Sequence, residues 1–262
     1  MYKEISVHLP FLSIDNCRDL GGIETMDGKV IKPGLLLRSA SLHQASEKDL
    51  LTLQNMGLKH VIDLRTDWEI ASAPDRVLKG WSETHLPILH ESEISKKEGG
   101  QLKAAADLVK NTGRDLTEIY PLMALDHHAQ NMWKKFFKAL IQQPGSYLFH
   151  CTQGKDRTGM AAILILNALG VDEKTIKDEY LETNLYMPSP KEGREFLKKH
   201  LPKLYETVQF DLDCYFSARP EYYEALNEAV LSHFGSWHNY LTGVLDLDEK
   251  DLDAMKNYYL ES

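Results

Sequence analysis

The sequence predicts an α/β fold, a mainly parallel central sheet flanked by helices. Two observations carry that expectation. Over the first two thirds of the chain short apolar, strand-like runs alternate with stretches of helical periodicity, and over the last third only the helical pattern persists. The 262 residues are 43 % apolar and 26 % charged, which supplies a buried core and is too ordinary for a disordered, collagenous or disulfide-scaffold chain. With no repeat, Pro-rich linker or low-complexity tract, residues 1–262 read as one domain.

The elements follow in order. Residues 11–34 are crowded with turn formers, among them Asn16, Asp19, Gly21-Gly22, Asp27-Gly28 and Pro33-Gly34. Residues 35–38 read as a short strand. Ser46, followed by Asp49, Leu50, Leu53 and Met56 with Gly57 beyond, has the cap, period and stop of a helix. Residues 58–64 and 84–89 read as strands. Residues 90–120 turn polar and then Ala-rich, the pattern of a helical insertion and a candidate lid over a site. A helix is expected over 122–143, a strand over 146–150 and an apolar helix over 160–169 stopped by Gly170. Helices at 172–183, 191–200, 220–234 (opened by Pro220) and 248–260 complete the chain. Tyr222-Tyr223 and Tyr258-Tyr259 then fall on core faces of helices.

Composition excludes several functions. A formal net charge of −9 argues against nonspecific nucleic-acid binding and against an anionic membrane surface. No membrane span is expected: the longest strongly apolar run, 160–169, is about half the ~20 residues a bilayer needs. The first residues lack the apolar run of roughly 7 to 15 residues that marks a secretory leader, so a cytoplasmic location is the default, with export lacking a recognisable leader left open. Cys17, Cys151 and Cys214 are too few and too scattered for a disulfide framework or a zinc site. His127-His128, near Asp126 and His150, lacks helical zinc spacing. No metal and no cofactor are expected.

One loop carries the chemistry: His150-Cys151-Thr152-Gln153-Gly154-Lys155-Asp156-Arg157-Thr158-Gly159, after a strand and before an apolar helix. A thiol at a helix N-terminus beside an arginine ionises near neutral pH. Five residues between Cys151 and Arg157 let Thr152, Gln153, Gly154, Lys155 and Asp156 curl into a nest of N–H donors for a phosphate or other oxyanion, which the Arg157 fork clamps. Gly154 and Gly159 permit close backbone approach. Thr158 can donate to the thiolate and His150 can orient the loop. The arrangement suits two-step phosphoryl transfer: Cys151 attacks phosphorus, an acid protonates the ester oxygen, and water releases the phosphocysteine. By chance the pattern arises on the order of once in a million chains of this length.

The loop resembles the signature of Cys-dependent protein tyrosine phosphatases, and the Gly-Lys-Asp-Arg-Thr-Gly version resembles the bacterial tyrosine and lipid phosphatases secreted by Mycobacterium and Listeria. Asn16-Cys17-Arg18-Asp19-Leu20-Gly21-Gly22, Leu37-Arg38-Ser39, Val61-Ile62-Asp63-Leu64-Arg65 and Arg219-Pro220-Glu221-Tyr222 extend the resemblance over residues 16–235. It implies a tyrosine phosphatase-like α/β fold, Cys151 as nucleophile, Arg157 as clamp, Lys155 facing the substrate and Asp156 as general acid. Flanking Lys155 and Arg157 favour an ionised Asp156 and work against that last role, so Asp63 and Asp67 stand as alternatives. Asp63 and Arg65, at a strand end, are placed to support the site; Arg18-Asp19 reads as a structural ion pair in a turn, with positioning of the signature loop, which the resemblance suggests, as the alternative. Cys214 reads as an inert thiol or a redox partner of Cys151. The expected substrate is a phosphotyrosine protein or peptide. A dual-specificity enzyme or a phosphoinositide phosphatase, favoured by the added charge of Lys155, is the alternative, and a non-catalytic phosphate-binding module is the rival from another class.

Overall fold

A computed structural model describes residues 4–89, 116–200 and 216–262. Its strands are β1 (Val7–His8), β2 (Arg18–Asp19), β3 (Val30–Ile31), β4 (Leu36–Ser39), β5 (His60–Asp63), β6 (Ser82–His85), β7 (Tyr147–His150) and β8 (Leu260–Glu261). Six of them form one sheet in the order β1-β2-β4-β7-β5-β6. The strands from β4 to β6 are parallel, and β1 and β2 add an antiparallel edge. The sheet is therefore mixed and mainly parallel, as the alternating pattern requires.

Strand alternation explains why both faces are covered. Leu36, Ile62, Tyr147 and Phe149 point into one hydrophobic cluster, while Leu37, Val61 and Leu148 point into another on the opposite face. Helix α1 (Glu47–Asn55), capped by Ser46 accepting from the Asp49 amide, closes the smaller cluster with Leu50 and Leu53. The short α2 (Asp67–Ser72) follows β5. On the larger face lie α3 (Leu116–Ile119), α4 (Leu122–Leu125), α5 (His127–Gln142), α6 (Asp156–Leu169) and α7 (Glu173–Glu182); after α8 (Pro190–His200), α9 (Pro220–Phe234), α10 (Trp237–Asn239) and α11 (Glu249–Tyr259) return to that face. Every residue of α6 except Asp156 and Asn167 is buried, as expected of a helix that is apolar all round. Gly170, at φ +85°, ends it.

Three expectations need correction. The helix expected over 122–143 is two helices, because the Asp126 side chain accepts from the His128 and Ala129 amides and caps α5 as a fresh start. The strand expected over 84–89 lies at Ser82–His85; Leu86 and Ile88 beyond it are core residues whose amides still donate to the Asp63 and Leu64 carbonyls at 2.8 and 3.4 Å. The last residues form β8, which pairs with β3, a non-local pairing that two-residue strands do not advertise. Of the expected lid, 90–115 lies outside the described residues; the described remainder is α3 and the buried Tyr120. Tyr222, Tyr223 and Tyr259 are buried as expected, whereas Tyr258 is partly exposed beneath the Lys32 ammonium.

Candidate active site

The loop between β7 and α6 is shaped by what holds its carbonyls. The Thr152 carbonyl accepts from the Ser41 amide at 3.1 Å. Asn16 Nδ2 donates to the carbonyls of Gln153 (3.2 Å) and Gly154 (3.0 Å), and Arg38 adds a 2.7 Å bond to Gly154. His150 Nδ1 lies 3.1 Å from the Cys151 carbonyl. In a trans peptide the next residue's N–H points opposite to the carbonyl, so drawing these four carbonyls outward turns the amides of residues 152–155 into the loop's concavity. Gly154 has φ +68°, and a Cβ there would sit 2.5 Å from the Ser39 carbonyl oxygen, so the curl needs glycine at this position. Asn16 itself has φ +53°, a backbone that asparagine tolerates better than most residues and that carries its amide to the loop.

Cys151 opens this loop, and Arg157 follows its far end in the first turn of α6. Burial pushes the Cys151 thiol up, but the Arg157 guanidinium and the Thr158 hydroxyl outweigh it and hold the thiol below its ordinary value. Thr158 Oγ1 is buried without a nitrogen or oxygen partner. Arg157 is itself fixed by Glu69 on α2, donating to both carboxylate oxygens at 2.6 and 2.8 Å. Thr152 Oγ1 donates to the same carboxylate at 2.6 Å, so one side chain ties both ends of the loop together. Glu69 also closes a capping box with Thr66. Burial works against its ionisation, yet Arg157 and these donors hold its carboxyl down at about 2.

The three carboxyls weighed as acids separate clearly. Asp63 is engaged with Arg65 through bonds of 2.7 to 3.1 Å. Asp67 is exposed on α2 and lies 3.5 Å from His85 Nδ1. Asp156 opens α6 next to Arg157, its side chain 38 % exposed, and its charge is among the main influences on the Cys151 thiol. Tyr120 donates to Asp156 Oδ1, and Tyr180 donates to Tyr120 at 2.8 Å.

Behind the loop are two buried ion clusters. Arg65 donates to Asp63, to Asp75 (2.7 Å) and to the Ala73 carbonyl (2.9 Å), and His150 Nε2 lies 3.0 Å from Asp75 Oδ2. Asp63, Asp75 and His150 could in principle hold a cation, and the Arg65 guanidinium already supplies one there. Arg65 thus braces the end of β7 instead of reaching a phosphate. The second cluster joins Arg38 and Arg18 to Glu179 on α7, with Glu182 beside Arg18. Arg18 is fully buried, so its ion pairs belong to the interior and not to a surface turn; Asp19 accepts from the amides of Gly21 and Gly34 and shapes the turn itself. Lys155 also departs from its expected orientation toward substrate: it is 1 % exposed, donates to the Ser217 carbonyl at 3.3 Å and lies 3.6 Å from Asp156. His128 meets the Pro87 carbonyl, and Cys214 lies outside the described residues.

The tyrosine phosphatase family model matches residues 9–261. The chain belongs to the tyrosine phosphatase family. This phosphatase is 31 % identical to a Cupriavidus necator protein provisionally named a tyrosine-protein phosphatase, over 96 % of the chain and 88 % of the relative. It is 26 % identical to the triple specificity protein phosphatase PtpB of Mycobacterium tuberculosis over 86 % and 90 %, and 30 % identical to a tyrosine-protein phosphatase of Nostoc commune over 61 % and 52 %. The phosphatase is thus a phosphate-ester hydrolase with a phosphatase-like α/β fold. Among its described residues no helix is long and apolar enough to cross a membrane.

Sequence reasoning missed Glu69, Asp75, Tyr120, Tyr180 and Glu179. Only Glu69 carries a local signal: Thr66-Asp67-Trp68-Glu69 is a capping-box pattern after the strand ending at Asp63. The others reach the site from distant elements.

Proposed function

We propose that this tyrosine phosphatase hydrolyses phosphotyrosine in proteins or peptides through a phosphocysteine on Cys151. The supporting observation is a buried thiol held below its ordinary pKa by Arg157, in a loop whose carbonyls are drawn outward. A phosphate dianion seated on the amides and the Arg157 fork puts phosphorus against Sγ. The Sγ–P bond forms as the P–O ester bond breaks, and Asp156 gives its proton to the leaving oxygen. A water molecule then attacks phosphorus, its proton returns to Asp156, and the S–P bond breaks to release inorganic phosphate and the thiolate. Phosphate monoesters are so inert unaided, with accelerations reaching about 10²¹-fold, that the amide nest and Arg157 must supply most of the charge stabilisation.

Hydrolysis of an aryl phosphate in the presence of a metal chelator, with wild type against Cys151→Ser, tests the mechanism. Loss of activity by about a thousandfold or more is expected, since the covalent route then has no nucleophile. Activity that survives the substitution overturns it, and the same result would favour neither a phosphocysteine nor a binding-only module. Phosphotyrosine peptides should be turned over faster than phosphoserine or phosphothreonine peptides and soluble phosphoinositides. The triple specificity in the name of the Mycobacterium relative makes this comparison worthwhile, although the burial of Lys155 between Ser217 and Asp156 removes the argument that its charge faces a polyphosphorylated head group.

A further inference from the structure

We propose that Tyr120 is the positioning residue of the acid–base step: its hydroxyl holds Asp156 by Oδ1 so that the transferable proton is carried on Oδ2, and Tyr180 orients Tyr120 in turn. The inference rests on the reading of Asp156 as the general acid. A phenol has one proton. Tyr180 spends its own on the Tyr120 oxygen, and Tyr120 spends its own on Asp156 Oδ1, so the chain of hydroxyls has a single direction. Burial, with the Asp156 carboxylate next, pushes the Tyr120 phenol well above its ordinary value, which keeps it a donor at any working pH. Lys155 Nζ approaches the same oxygen, at 3.6 Å. Both partners of the carboxyl therefore lie on Oδ1, and a neutral Asp156 in this arrangement bears its hydrogen on Oδ2.

The rings that hold these hydroxyls have little freedom. Tyr120 stacks on Tyr222, with centroids 5.0 Å apart, and meets Tyr180 edge-on at 6.1 Å. Tyr180 presses on α6 where Gly159 lacks a side chain; a Cβ there would come within 3.0 Å of its ring. Tyr222 enters on α9 in the first turn opened by Pro220, beneath the Arg219 guanidinium. Three elements that are distant in sequence thus fix one oxygen of a half-exposed carboxyl that Lys155 would otherwise draw aside. Geometry of this kind governs proton transfer, which demands alignment within hydrogen-bond reach.

Leaving-group dependence tests the proposal because an acid matters most for a poor leaving group. kcat/KM is measured for p-nitrophenyl phosphate and phenyl phosphate, with inhibition by vanadate as the readout of oxyanion binding. Wild type is compared with Tyr120→Phe, Tyr180→Phe, Asp156→Asn and the double variant Tyr120→Phe/Asp156→Asn. Tyr120→Phe should lose about tenfold on phenyl phosphate and a much smaller factor on p-nitrophenyl phosphate, with vanadate inhibition preserved; Tyr180→Phe should show a weaker version of the same split. The double variant should be no worse than Asp156→Asn alone. Equal losses on both substrates, unchanged rates, or losses that multiply in the double variant overturn the proposal. If Asp156→Asn by itself leaves leaving-group dependence at the wild-type level, the assignment of Asp156 falls and the role of Tyr120 falls with it, a failure read in a variant that still has Tyr120.

Discussion

Glu69 shows how much one side chain can decide. Its two oxygens receive Arg157 and Thr152 from opposite ends of the loop, and the same carboxylate caps the helix that carries it. Glu69→Gln keeps the shape and removes the charge. Leaving a buried guanidinium unpaired costs about 3 kcal/mol, which should appear as a lower denaturant midpoint, and the freed Arg157 should lower kcat/KM by about a hundredfold. Because the folded carboxyl titrates at about 2, below its unfolded value of 4.5, its contribution is complete above pH 4.5 and is lost as pH falls through 2. Denaturation midpoints between pH 5 and pH 2 should therefore fall more steeply in wild type than in the variant. At the same scale the sequence singles out Cys151, Arg157, Thr158 and Asp156 as candidates because they lie within ten consecutive residues, where order along the chain is nearly order in space. It could not identify Tyr120, whose hydroxyl reaches Asp156 from 36 positions away.

At the scale of elements, the loop is a product of its neighbours. Its curl depends on β4 passing so close to Gly154 that only a hydrogen fits, and on Asn16, Ser41 and Arg38 taking up its carbonyls. Gly154→Ala meets both a clash with the Ser39 backbone and a positive φ. It should reduce activity far more than Cys151 reactivity toward an uncharged alkylating agent, because the amide nest is distorted while the thiol remains; equal losses in the two assays would refute this account. Elements whose signal is local were legible: the Ser46 cap, the helix starts at Asp172 and Asp248 and the Gly170 stop lie where the sequence puts them, whereas α6 begins at Asp156, four residues before the apolar run at 160–169, because the polar end of the signature loop forms its first turn. The break between α4 and α5 was not, since Asp126 competes there with an uninterrupted helical period, and a cap outweighs period only once the chain turns.

At the scale of the whole molecule, buried charge is organised in layers behind the loop. Arg38 links the Gly154 carbonyl to Glu179, and Arg18 continues the layer to Glu182, so α7 is fastened to the site by ions that cannot reach water. Burial and the neighbouring Arg18 bring the Arg38 guanidinium down to about 10, and Glu179 keeps it charged below that. His150 belongs to the other cluster. Burial lowers its imidazole, but Asp75 and Asp63 outweigh that and hold it above 6.5. A raised value in the folded state means that its contribution is complete below pH 6.5 and is lost as pH rises through the folded value. Thermal midpoints should therefore decline from pH 6 toward pH 9, and Asp75→Asn, which removes the His150 partner, should flatten that decline while lowering the midpoint throughout. A net charge of −9 says little about ligands in such a molecule: at the loop and its supports each buried cation is paired with a carboxylate, so the local arrangement and not the whole-chain sum sets what an anion meets.

The sequence by itself determined the fold class, through strand and helix periods that reflect local geometry, and the signature loop, whose chemistry is contained in ten consecutive residues. Only the tertiary structure decided which groups support that loop. Glu69, Asn16, Arg38, Asp75 and the two tyrosines lie far from it along the chain, and their roles exist only because the parallel sheet and its covering helices bring them to one end of β7. Periodicity records which face of an element is buried; it does not record which buried polar group another will meet.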